Sequence, residues 1–227
     1  MKRNWIAAVA IIAFLAGLGL LLYPTVSSAW NRRRSAKTVA AYTELAAAID
    51  PAVYEKMLAD AEDYNRSLPL EPEYVLTGTR LAQYQQLLDA DGTGMMGYID
   101  IPRIGVSLPI YHGTDEAVLQ AAVGHLEWTS LPVGGSGTHC VLSGHRGLPN
   151  ATLFTDLDQM EPGDTFTLHV LSRALTYTVR EILVVEPGDT QALNIVPGED
   201  LCTLMTCTPY GVNTHRLLVR GTRKEGD

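Results

Sequence analysis

Residues 201–216 read Leu-Cys-Thr-Leu-Met-Thr-Cys-Thr-Pro-Tyr-Gly-Val-Asn-Thr-His-Arg. The first six form a β-type run, residues 208–211 are turn formers, and a second β run opens at His215. A chain that reverses there leaves Cys207 at a strand end near solvent, with the returning strand beside it. Neighbouring residues on a strand face opposite sides, so only one of His215 and Arg216 shares the face of Cys207.

The same texture extends upstream to Gly97, with β runs at 98–101, 106–111, 139–143, 165–171 and 175–185 and a return at 215–219. Phe166, Leu168 and Val170 alternate with Thr165, Thr167 and His169, the pattern of a sheet with one wet face. Short strands at this density predict a mainly β barrel or sandwich, with short helices at 116–123 and near 153–159. Before Gly97 the periodicity is helical. A helix spans 35–49, Asp50 caps a second, and Pro51 takes its first position. Tyr54, Met57, Leu58, Ala61 and Tyr64 give that second helix, which runs to about Arg66, one packing face. A loop over 68–77 leads to a third helix over 79–88.

Trp5 to Tyr23 contains no charged residue, and as a helix it is about 28 Å long, close to the hydrocarbon thickness of a bilayer. It reads as a membrane span, with a cleaved signal peptide as the alternative because Ser27, Ser28 and Ala29 are small. Lys2 and Arg3 precede the span while Arg32, Arg33, Arg34 and Lys37 follow it, so counting positive charges favours the following side as cytoplasmic. Those six account for part of the 17 basic residues, leaving 11 against all 25 acids and a net charge of −14 beyond Lys37. Such a domain is unsuited to nucleic acid, whereas long-range attraction would draw in a basic peptide or an amine.

Three cysteines, at 140, 202 and 207, are too few for a disulfide scaffold, and an odd count leaves one thiol outside any bridge within the chain. A thiol nucleophile needs a proton-exchanging partner and a cationic group where an oxyanion develops. For Cys207 the partners on offer are His215, close in sequence, His145, displayed between Gly144 and Arg146-Gly147, and Arg216. No short Cys-x-x-Cys pair supports zinc, and Cys140 and Cys202 read as buried apolar residues. Asp89, Asp91, Thr93, Gly94 and Asp100 match part of a calcium loop, but a β run replaces its second helix, so no metal or cofactor is expected.

The run Thr203-Leu204-Met205-Thr206-Cys207 and the residues after it to His215-Arg216 closely resemble the TLxTC signature and arginine strand of sortases, in the form typical of pilus-type class C enzymes. Gly144-His145-Arg146-Gly147 looks like their catalytic-histidine motif. The match also takes in Met96-Gly97-Tyr98-Ile99, Leu108-Pro109-Ile110-Tyr111-His112-Gly113, Gly124-His125-Leu126-Glu127 and Ser130-Leu131-Pro132-Val133, covering about residues 95 to 221.

The resemblance implies a closed eight-stranded β-barrel that cleaves an LPxTG-like sorting signal between Thr and Gly through a thioester and passes the acyl group to an amine. Carried over by position, Cys207 is the nucleophile, His145 the acid and base, Arg216 the clamp on the oxyanion, and Thr206 flanks the oxyanion site. The implied partners are pilin or surface proteins with LPxTG-like signals, and an amine from a pilin lysine or a peptidoglycan precursor. A sortase anchoring proteins to peptidoglycan, a thiol hydrolase, and a membrane-tethered pilin-binding module are the rival readings.

The implied layout is a cytoplasmic 1–4, a span at 5–23, a basic juxtamembrane linker at 24–37, a helical extension at 38–94, an extracellular catalytic barrel at 95–221 and a polar tail at 222–227. Two departures from the class C pattern stand out. The Asp-Pro of the usual lid is absent from the loop, where Glu71, Pro72 and Tyr74 form a degenerate lid candidate, and the given sequence shows no second apolar run after the barrel.

Overall fold

A computed structural model describes residues 2–70 and 75–223. Three helices, α1 (Lys2–Ala48), α2 (Pro51–Arg66) and α3 (Gly78–Gln86), precede β1 (Met95–Ile101) and β2 (Val106–His112). Then follow α4 (Glu116–Leu119), β3 (Val123–His125), β4 (Thr138–Ser143), β5 (Thr165–Val170), β6 (Arg173–Val185), β7 (Asp200–Thr208) and β8 (His215–Arg223). The strands close a barrel in the order β1-β2-β3-β4-β7-β8-β6-β5, with β5 returning to β1.

Alternation decides what fills the barrel. Phe166, Leu168 and Val170 of β5 are fully buried, and Phe166 stacks on its register partner Tyr177 of β6 with ring centroids 5.6 Å apart. At Gly221 a Cβ would lie 2.8 Å from both of these side chains, so β8 approaches them only because it carries no side chain there. The closing seam has the same requirement: a Cβ on Gly97 would meet the His169 carbonyl oxygen at 2.3 Å.

The central pairing is between β4 and β7, parallel and in unbroken register from Thr138↔Asp200 to Ser143↔Met205. Buried His139 fastens it. The ring Nδ1 lies 2.9 Å from the Asn194 carbonyl and donates to it, which leaves Nε2 to accept from the Thr203 hydroxyl at 2.7 Å.

The helices pack on this frame by specific polar contacts. Asp50 caps α2 by accepting from the Ala52 amide at 2.8 Å, and Pro51 occupies the first helical position. Leu58, Ala61 and Tyr64 supply the buried face of α2, and Asn65 exchanges two hydrogen bonds with the Leu131 backbone. From α1, the Tyr42 hydroxyl donates to the Met96 carbonyl and accepts from the Leu171 amide, both at 2.8 Å.

Three local expectations change. The helix expected over 116–123 stops at Leu119, and Val123 instead opens β3. A strand of three residues, all buried, is too short to show alternation. Gly124 holds it against the Gly113 carbonyl, which a Cβ would meet at 2.3 Å. Near 153–159 only Leu157–Gln159 forms a helical turn. The basic residues after the span are helical, since α1 continues unbroken through 24–37. The lid candidate, Glu71, Pro72 and Tyr74, lies outside the described residues; just before it, the Leu70 carbonyl accepts from the Ile195 amide.

Two predictions follow from the frame. Gly97→Ala is expected to lower stability by about 1–3 kcal/mol through the clash at the seam, read as a reduced urea midpoint. Burial pushes the His139 pKa down to about 4, with Arg220 adding in the same direction against the Asn194 bond. Between pH 6.5 and 4 the unfolded chain therefore binds more protons at this position, and stability falls as pH falls, by about 3 kcal/mol across that window. His139→Gln should flatten this dependence when urea midpoints are compared at pH 7 and 4.5.

Candidate active site

In the register of β7 against β8, Cys207 lies directly opposite Arg216, and Thr208 opposite His215. Directly paired residues share a face. Gly221 faces the interior, towards Phe166 and Tyr177, and stands five positions from Arg216. Alternation along β8 therefore puts Arg216 and Cys207 on the outer face, at one end of the barrel. His215 falls on the other face, where its Nδ1 is 2.9 Å from the Thr214 hydroxyl.

The β4 side brings His145 to the same place. Ser143 is the register partner of Met205, and the match continues past the strand end: the Gly144 amide donates to the Met205 carbonyl at 3.1 Å, and the Thr206 hydroxyl donates to the Gly144 carbonyl at 2.8 Å. Two steps beyond Ser143 and Met205 stand His145, in the loop just past the end of β4, and Cys207, still within β7, so continued alternation puts them on the same face. Gly144 permits this because a Cβ there would sit 2.7 Å from the Phe154 ring. The structure thus brings Cys207, His145 and Arg216 together, all half-buried, and leaves His215 out. Thr206 is buried and faces inward, its hydroxyl occupied by the loop that carries His145.

Further residues shape the site. Arg146 forms an ion pair with Asp158 and places its guanidinium 5.6 Å from the centre of the Tyr210 ring. Gly147, with φ at +77°, would bring a Cβ to 3.1 Å from the same ring. Tyr210 of the β7–β8 turn therefore packs on the loop that follows His145, joining the two halves. On α4, Glu116 places Oε2 3.6 Å from His145 Nε2. The Gln120 amide, and after it His145, draws the Glu116 carboxyl below the usual carboxylate range. Glu116 and Tyr210 escaped the sequence reading as site neighbours, since only barrel closure brings α4 and the turn to His145; Arg146 stood inside a quoted motif without a role.

Cys140 and Cys202 are register partners, both buried and reduced. They differ from Cys207 in facing the interior, as the pairing of Cys202 with Gly221 shows. The partial calcium pattern resolves into turn bonds. Asp91 accepts from Thr93, Asp89 from the Gly94 amide, and Asp100 pairs with His169 at 3.1 Å.

Residues 99–224 match the family model described as the sortase domain. Sortase D of Bacillus subtilis is 31% identical over 130 residues, covering 56% of this chain and 63% of that protein, so the chain spans somewhat under two thirds of that relative's length. The crystal structure of sortase C1 from Streptococcus agalactiae superposes with a TM-score of 0.81 at 47% identity, covering 84% of this chain and all of that one. That of sortase C from Streptococcus pneumoniae, which bears on catalysis and pilin substrate specificity, gives 0.73 at 42% identity, covering 83% and 96%. Together with the barrel and the shared face of Cys207, His145 and Arg216, these matches place the chain in the sortase family, with class C sortases as its structural relatives.

Proposed function

We propose that the chain is a membrane-anchored cysteine transpeptidase that cleaves an LPxTG-like sorting signal between Thr and Gly and transfers the acyl group to an amine, foremost a pilin lysine in pilus assembly. The observation that carries this reading is the register that sets Cys207 opposite Arg216 and continues β4 to His145 beside it. The class C relatives support the pilin substrate class, and the net charge of −14 beyond Lys37 favours a cationic acceptor.

In this mechanism the Cys207 thiolate attacks the threonine carbonyl carbon, and the electron pair displaced onto oxygen faces the Arg216 guanidinium. His145, protonated at that stage, gives its proton to the departing glycine nitrogen as the C–N bond breaks, and a thioester remains. An incoming amine attacks the thioester and passes a proton to His145; collapse forms the new amide and returns the thiolate. Thr206 acts as a positioning residue, tying β7 to the histidine loop through the Gly144 carbonyl. Glu116, with its carboxylate 3.6 Å from His145 Nε2, is placed to orient the imidazole. The catalytic barrel lies on the extracellular side, where sorting signals are presented.

The test is a labelled LPxTG-type peptide incubated with the protein, with and without an amine acceptor, and mass measurement of the trapped acyl-enzyme. Cys207→Ala is expected to abolish both the acyl adduct and turnover. Arg216→Ala should lower kcat by about 10²–10³ while the adduct still maps to Cys207, and Arg216→Lys should recover only part, because an ammonium does not reproduce the guanidinium fork. Turnover that persists without Cys207 sinks the proposal, and turnover indifferent to every amine identifies a hydrolase.

A further inference from the structure

α1 does not part from the barrel where its apolar run ends. The Ser27 hydroxyl, bonded back to the Tyr23 carbonyl at 2.7 Å, lies 3.3 Å from the Pro149 carbonyl, and the Asn31 side-chain amide donates to the Asn150 carbonyl. Both acceptors lie on the loop that leaves His145. Tyr23 ends the apolar run, although no charge follows until Arg32, and the four residues from Tyr23 to Ser27 rise about 6 Å along the helix. The headgroup layer of a leaflet is about 5–8 Å deep, so the Ser27–Pro149 contact falls within it. A modest helix tilt shortens the rise only slightly.

The same two turns present a second face beside that contact. Leu22, Val26 and Trp30 recur every four residues and are exposed, Trp30 at 71%. Together with Asn150 they border an open cavity of about 570 Å³. Arg32, Arg33 and Arg34 follow directly, all exposed, and no acidic residue precedes Glu44. Among the described residues no ion pair engages them. An aromatic side chain that leans back along the helix towards the leaflet, with long guanidinium side chains following within about one turn, matches the polarity profile of an anionic leaflet. The rest of the chain carries the opposite charge and is repelled by such a surface, so attraction is confined to this end.

We propose that residues 22–34 of α1 and the 147–150 loop form one lipid-docking face, seated on anionic phospholipid headgroups, which holds the barrel end bearing Cys207, His145 and Arg216 against the membrane surface. Chains held in the same bilayer then reach that end by lateral diffusion, ahead of peptides in bulk solution. This consequence for substrates rests on the transpeptidase reading; the docking itself does not.

The experiment uses the full chain in vesicles with spin-labelled headgroups, either wholly zwitterionic or containing phosphatidylglycerol. In a Cys207→Ala background the buried Cys140 and Cys202 leave a newly introduced surface cysteine as the reactive thiol. One fluorophore goes on Pro149→Cys beside the helix contact, and another on Ser136→Cys, exposed beyond the opposite end of β4. Severalfold stronger quenching is expected at position 149 than at 136, greater with phosphatidylglycerol and reduced by R32Q/R33Q/R34Q. Equal quenching, or stronger quenching at 136, overturns the docking, and quenching at 149 indifferent to lipid charge and to the arginines overturns the anionic-headgroup assignment. The readout needs no turnover, so a failed transpeptidase assay and a failed docking proposal are distinguishable.

Discussion

The parallel pairing of β4 with β7 is the constraint on which the rest depends. It is the pairing least available to local chain geometry, because parallel strands need a long crossover and these two are separated by all of β5 and β6. A one-residue slip would turn every side chain of β7 to the other face. Cys207 would then point into the barrel and Thr206 towards solvent. Thr203, Gly144 and Thr206 oppose such a slip through the bonds to His139, from Gly144 to Met205 and from Thr206 to Gly144. A buried polar contact of this kind is costly when its partner is lost, which makes the correct register more favourable than its neighbours.

Much of this was legible in the sequence, for identifiable reasons. The β5 pattern of Phe166, Leu168 and Val170 gave its burial directly, since alternation survives whenever one face is wet. Cys207 beside a turn, and the opposed faces of His215 and Arg216, followed from local sequence as well. The preference for His145 rested on family resemblance, and no local signal could relate it to Cys207: β4 stops at Ser143, opposite Met205, and only this long-range parallel register carries the His145 loop towards the end of β7. β3 stayed hidden because three buried residues have no period. Glu116 stayed hidden as a neighbour of His145 because its approach depends on how α4 sits across β3, which no local signal encodes.

Charge is segregated along the chain as sharply as hydrophobicity. The first 43 residues hold only positive charges, and the remainder is strongly negative. With a flexible linker between span and barrel, the repulsion between an acidic barrel and an anionic surface would push the domain outward. In the docked arrangement proposed above, the continuous α1, about 70 Å long over its 47 residues, would oppose this by fixing the height and rotation of the barrel instead. Tyr42, bonded to both Met96 and Leu171, clamps the far portion of the helix to the barrel, so that the Ser27 and Asn31 contacts define a plane and not merely a tether.

The same geometry separates one thiol from two others of identical intrinsic chemistry. Cys202 and Cys207 lie on one strand, five residues apart, and an odd separation sends them to opposite faces. Cys202 and its partner Cys140 are enclosed with Phe166 and Tyr177, where burial drives the Cys202 thiol well above its ordinary pKa. Reactivity follows the thiolate and its access, and the interior denies Cys202 both. Cys207 has partial exposure, a guanidinium directly across the ladder and an imidazole at the end of the adjacent strand. Strand parity, more than the identity of the residue, therefore determines which cysteine of this chain lies half-exposed on the outer face.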